Sequence, residues 1–164
     1  MSEEITNTQA EGILSHGRLR CGVMIKYRWL RLVGMVLDSG VRELLHGRNF
    51  GFLATVNVDG SPQVTPVWVD EEDGFIRVNT ALGRVKERNT RREPRVCLAV
   101  PDMSDPYRYA LVKGVVVERV VGEVADRHID ELAIKYTGER FKWWVPGVRR
   151  VILKIRAEKA VIIS

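Results

Sequence analysis

The pair Asp59-Gly60 restricts this chain more than any other feature. It stands between residues 50–58 (FGFLATVNV) and residues 61–70 (SPQVTPVWVD). Both runs are rich in the β-branched and aromatic side chains that favour strands. Asp-Gly between two such runs is the strongest short hairpin signal, and a hairpin makes its two strands antiparallel. In the second strand Gln63, Thr65 and Val67 alternate with Val64, Pro66 and Trp68, so both faces have packing to do. Pro66 lacks an N–H and places this strand at a sheet edge or a bulge, next to backbone groups left without ladder partners.

The rest of the chain continues in the same style. Residues 75–78 read as a third strand, and residues 96–100 as a fourth, buried one. Residues 107–121 (YRYALVKGVVVERVV) read as a long strand bent at Gly114, and residues 149–156 and 159–163 as two closing strands. Asp38 or Ser39 offers an N-cap to a short helix with the stripe Val41, Leu44 and Leu45, ended at Gly47. Residues 126–136 carry Ile129, Leu132, Ala133 and Tyr136 at helical spacing, with Gly138 beyond them. Six or seven strands joined mostly by hairpins, with two or three short helices, favour a mainly β domain over residues 38–164, a small closed or split antiparallel barrel and not an open sheet. Residues 1–37 are expected to be an N-terminal extension: a polar, loosely attached arm to about residue 18, then a mixed apolar and basic stretch read first as a helix packed on the rest, with a surface amphipathic helix or sequence upstream of a start at Met24 or Met35 as the alternatives.

Charge is unevenly placed. Residues 78–95 (VNTALGRVKERNTRREPR) hold Arg84, Lys86, Arg88, Arg91, Arg92 and Arg95 against only Glu87 and Glu93, while the 164-residue chain has a net charge of +5. Residues 80–93 are expected to form a helix capped by Asn79-Thr80 and too polar to be held by burial alone. A strand that feeds the N-terminus of a basic helix suits a phosphate. The competing reading is a solvated, charged helix face.

Several chemistries are missing. There is no GxSxG, Walker motif, GxGxxG or HExxH, and no obvious carboxylate pair. His16, His46 and His128 are scattered, and no metal site and no catalytic residue is assigned. Cys21 and Cys97 lie in no CxxC pair, which suits a reducing cytoplasm, and Cys97 is expected to be a buried small hydrophobe. Lys26, Arg28 and Arg31 interrupt the most apolar N-terminal stretch, so neither a membrane span nor a signal peptide is expected. A basic site without a nucleophile points to a bound cofactor that carries the reaction.

The runs NFGFLATVNVDGSPQVTPVWVD, FIRVNTALGRVKERNTRREPRVCLAV and DPYRYALVKGVVV occur in that order, and HIDELAIKYTGERFKWWVPGVRRVILKI follows. Together they resemble the pyridoxamine phosphate oxidase-like family of split β-barrel flavoproteins, and within it the branch of coenzyme F420-dependent enzymes. The resemblance spans residues 38–163. It implies a homodimer with cofactor clefts between subunits, a flavin or deazaflavin (coenzyme F420 or FMN), and hydride transfer to or from a small-molecule substrate. It places the cofactor phosphate at Asn79, Thr80, Arg84 and Lys86, with Arg88 and Asn89 nearby, and the ring along Thr65, Pro66, Val67 and Trp68. The full C-terminal substrate motif of the vitamin B6 oxidases is not present, which argues against that reaction. Two alternatives from other classes stand beside this reading: a cofactor carrier without turnover, and a basic nucleic-acid binder, although no nucleic-acid partner is expected.

Overall fold

The computed structural model describes residues 36–164. The expectations for residues 1–35 lie outside the described residues. The described chain opens with α1 (Ser39–His46) and then runs β1 (Gly51–Val56), β2 (Pro62–Val67), β3 (Val69–Glu72), β4 (Phe75–Ala81) and α2 (Val85–Arg92). It continues through β5 (Arg95–Pro101), β6 (Tyr109–Val121), α3 (Glu123–Thr137) and β7 (Arg150–Ile163).

All strand pairs are antiparallel, in the order β2-β1-β5-β6-β7-β4-β3. The two edge strands, β2 and β3, are consecutive in the chain and separated by Trp68 alone. One continuous segment therefore supplies both free edges, and the sheet curls to bring them end to end. This is the split β-barrel that the family resemblance implies, one of the two barrel forms the hairpin pattern allowed. It also explains why residues 61–70 form two strands and not the single strand expected. The chain leaves one edge at Val67 and enters the other at Val69, so Trp68 has no place in either ladder.

The barrel interior is filled by alternate residues of these strands. Leu53, Val69, Ile76, Val78, Leu98, Val112, Leu153 and Ile155 are all buried there. α1 presses Val41, Leu44 and Leu45 into the same cluster, and the Asp38 carboxylate caps it by accepting from Gly40 N–H at 2.8 Å. Each fully buried aliphatic side chain contributes about 1.5–3 kcal/mol from burial. Gly47 ends the helix in an extended conformation, its N–H bonded to the Glu43 carbonyl. The 57–61 turn is closed by bonds from Asn57 N–H to Ser61 O and from Gly60 N–H to Asn57 O, with Gly60 at φ +85°.

Five local expectations are corrected. β4 does not stop at Val78. It stays paired with β7 as far as Ala81 opposite Arg150, so Asn79 and Thr80 are strand residues and not a helix cap. The basic helix starts at Val85, capped by Arg84 without a side-chain bond, because ladder pairing outweighs the weak local preference of Asn and Thr. The closing strands are one strand, β7. Its register against β6 slips between Lys113 and Gly114, so that Lys113 faces Lys159 while Gly114 faces Ala157. That slip is the bend expected at Gly114, where a Cβ would lie 2.6 Å from the Arg156 carbonyl oxygen. α3 begins at Glu123, earlier than expected, and ends as expected at Gly138 in the left-handed conformation at φ +85°. Cys97 is half-buried, not buried.

Candidate functional site

A cleft of about 330 Å³ opens where the two sheet edges meet. Ligand pockets commonly run to ~300–1,000 Å³. One end is cationic. Thr80 near the end of β4, Arg84 and Lys86 at the start of α2, and Arg150 at the start of β7 all line it. The β4–β7 register brings Arg150 there: Ala81 faces Arg150, and Asn79 lies diagonally across on the same face. Arg150 Nε donates to Asn79 Oδ1 at 2.8 Å.

The electrostatics of this end are unusual. Lys86 is 9% exposed. Burial pushes its ammonium below the ordinary lysine range, and Arg84 and Arg150 push it further. Arg150 is pushed down to about 10, first by burial and then by Arg84, with Asp126 opposing. Among the described residues no carboxylate forms an ion pair with Arg84, Lys86 or Arg150. Three cations brought together in a half-buried place without a counter-charge have the chemistry to hold an anion.

The other end is aromatic. Trp68 stacks on Tyr136 with ring centroids 5.3 Å apart and planes 8° from parallel. Trp143 approaches Trp68 at 6.3 Å and Phe141 at 5.5 Å. The Arg150 guanidinium lies 5.1 Å from the Phe141 ring centre, which joins the two ends of the cleft. Tyr136 is held by its hydroxyl, which donates to the Asn49 carbonyl at 2.7 Å and accepts from Val69 N–H at 3.2 Å. Burial raises that hydroxyl to about 12, although the Val69 bond works the other way. Its neighbour Lys135 donates to the Leu45 and Val69 carbonyls and is pushed down to about 8, chiefly by burial. These bonds tie α3 to the segment around Trp68.

Seven of the ten residues expected from the sequence come together here: Pro66, Val67, Trp68, Asn79, Thr80, Arg84 and Lys86. The other three do not line the cleft. Thr65 turns its hydroxyl into the protein, where it is buried without a partner. Arg88 and Asn89 line a separate depression with Asn57 and Arg92. Asn89 is 5% exposed and braces α2 against the hairpin, donating to Thr55 Oγ1 at 3.1 Å and Asn57 Oδ1 at 2.9 Å. Arg88 bonds back to the Gly83 carbonyl at 2.7 Å.

The remaining basic residues of the 78–95 segment also have partners. Arg91 pairs with Glu87, Arg92 donates to the Val56 carbonyl, and Arg95 pairs with Glu93. Arg84 and Lys86 are left free among the described residues. The sequence reading missed Arg150 and Phe141, because only the register of β7 and the path of the 138–149 loop bring them to the cleft. It also missed His128, a buried residue that no spacing marks. Among the described residues no cluster of His, Cys, Asp or Glu could hold a metal ion, and no helix is long and apolar enough to cross a membrane.

Comparison with known proteins gives a consistent result. The family model described as pyridoxamine 5'-phosphate oxidase matches residues 37–162. A solved structure named F420 reductase is 30% identical, with a TM-score of 0.68, over 76% of this chain and 98% of that one. The conserved hypothetical protein Rv2991 from Mycobacterium tuberculosis is 25% identical, with a TM-score of 0.63, over 80% of this chain and 86% of that one. General Stress Protein 26 from Bacillus anthracis shares the fold at 20% identity and a TM-score of 0.56, over 79% of this chain and 95% of that one. A split barrel in this strand order, matched by the family model over most of its length, makes the chain a member of the pyridoxamine 5'-phosphate oxidase-like family.

Proposed function

We propose that the cleft binds a flavin or deazaflavin, coenzyme F420 ahead of FMN, and that the protein is an oxidoreductase acting on a small molecule. The observation that carries this reading is the convergence of Arg84, Lys86 and Arg150 with no carboxylate among them. These residues fit such a cofactor. Three cations and the Thr80 hydroxyl suit a phosphate, and the Trp68–Phe141–Trp143 wall suits a planar ring. When bound, the cofactor supplies hydride transfer at its ring. The chain's own part is to hold the anion, to orient the ring along Pro66–Trp68 and to keep water off its face. No side chain is assigned a proton. The 30% identity to an F420 reductase supports placing F420 first.

We also propose a homodimer. Phe52 is 44% exposed, Val64 is 56% exposed and Trp143 is 62% exposed, and these large apolar groups favour cover by a second copy. The reading as a carrier without turnover shares every feature of this site and is separated from an oxidoreductase by assay alone. Nucleic-acid binding is less well supported, since most of the basic segment is engaged in local pairs.

Calorimetry with F420 and FMN tests the site. Binding of one of them, weakened about tenfold or more by Lys86→Ala, is expected, since each charge-assisted bond contributes ~1.5–3 kcal/mol. Binding of neither rejects the reading. Turnover of reduced cofactor by the purified protein then separates enzyme from carrier.

A further inference from the structure

We propose that His128 is a positioning residue for the anion end of the cleft, setting the direction of the Arg150 guanidinium through Asn79. The proposal rests on the phosphate-site reading above. His128 sits on α3, 2% exposed, and its Nε2 is 3.2 Å from each oxygen of Asp70. Arg77 holds the same carboxylate, Nε to Oδ1 at 2.9 Å and Nη2 to Oδ2 at 2.5 Å. Asp70 is therefore ionised and can only accept. Nε2 of His128 must carry the proton, which leaves Nδ1 as an acceptor in the neutral ring.

The next link follows from that assignment. Asn79 Nδ2 lies 3.3 Å from His128 Nδ1 and 2.7 Å from the Ala125 carbonyl oxygen, so its two hydrogens meet two acceptors. Asn79 Oδ1 is then the atom that faces Arg150 Nε at 2.8 Å. Turning the amide over would set Oδ1 against the Ala125 carbonyl and Nδ2 against the guanidinium. Both contacts would be between like groups, so only one arrangement satisfies every atom. With Nε engaged by Asn79 and the guanidinium lying over Phe141, the terminal nitrogens of Arg150, which no described residue bonds, stay free for the anion. A buried residue with no contact to the cleft thus orders a cation that lines it.

The test uses ¹⁵N NMR on the unliganded protein, then titration with inorganic phosphate. In the wild type the His128 ring is expected as the Nε2–H tautomer, with a protected Arg150 Nε–H signal. His128→Leu should abolish that protection while methyl spectra stay native. His128→Asn, which can still present an acceptor to Asn79, should retain it. Phosphate affinity should fall about 3–10-fold in His128→Leu, and the same substitution should cost nothing further in an Arg150→Ala background. An Nδ1–H tautomer overturns the proposal, as does Arg150 Nε–H protection that survives His128→Leu, or an equal affinity loss in both backgrounds. If His128→Leu does not fold, the wild-type tautomer and His128→Asn decide alone. Phosphate binding to no variant, the wild type included, defeats the cofactor-site reading and leaves the NMR signals to judge the relay.

Discussion

At the scale of single residues, the cleft shows how burial and charge set each group apart. Arg91 and Lys86 stand five residues apart on one helix, yet Arg91 is held by Glu87 at 2.5 Å while Lys86 has no partner among the described residues. Arg91→Ala should therefore leave cofactor affinity nearly unchanged where Lys86→Ala lowers it, a contrast that parallel titrations measure directly. An arriving phosphate favours the protonated form of Arg150, whose free value is about 10. Below that value binding needs no proton uptake, and above it binding does. Affinity should therefore fall as pH rises through about 10, read from isotherms across the alkaline range. Asp70 works in the other direction. Burial alone would raise it, but the His128 and Arg77 bonds outweigh burial and lower it to about 2 from an ordinary 3.8. A depressed carboxylate stabilises the fold above its unfolded value. That stability, on the order of 2 kcal/mol, should be lost as pH falls from about 4 through about 2, and Asp70→Asn should flatten this part of the acid-denaturation curve.

Elements obey constraints that single residues do not. β6 and β7 are long paired strands whose register slips at Gly114, and the slip lets them bend around the barrel. Gly114→Ala would drive a methyl to 2.6 Å from a backbone oxygen that cannot move without breaking the ladder. A loss of about 1–3 kcal/mol is expected from such overpacking, measurable by urea unfolding. Leu44 on α1 is 1% exposed beneath the barrel end, and Leu44→Ala should cost about 2–5 kcal/mol by leaving a cavity. The helix stripe and the Asp59-Gly60 hairpin were legible because they depend on neighbours within a few positions. The start of α2 was not. Asn79 and Thr80 look like caps locally, and only the ladder to Val151 and Ile152 makes them strand residues.

For the molecule as a whole, the expected state is a homodimer, checked by light scattering. Phe52→Glu on the exposed face of β1 should shift it toward monomer without unfolding it, because Phe52 is 44% exposed in the single chain. The two candidate cofactors differ in their phosphate. FMN carries a monoester that gains a second charge near pH ~6, whereas the phosphate of F420 is a diester with one charge throughout. Affinity that climbs with pH through that point identifies a monoester site, and a flat profile fits F420.

The sequence by itself determined the antiparallel β character, the hairpin, the family with its split barrel, and the stretch of chain that supplies two of the three free cations. Those features follow from residue type and short spacing, which act before the chain is folded. The tertiary structure decided which charges remain available. Of the basic residues in the 78–95 segment, Arg91, Arg92 and Arg95 are taken up by nearby acceptors and Arg88 by the Gly83 carbonyl. Arg150 comes to Arg84 and Lys86 from far along the chain. Its place depends on strand register and on a buried Asn79–His128–Asp70 chain, and both are pairings between distant positions that exist only once the barrel closes.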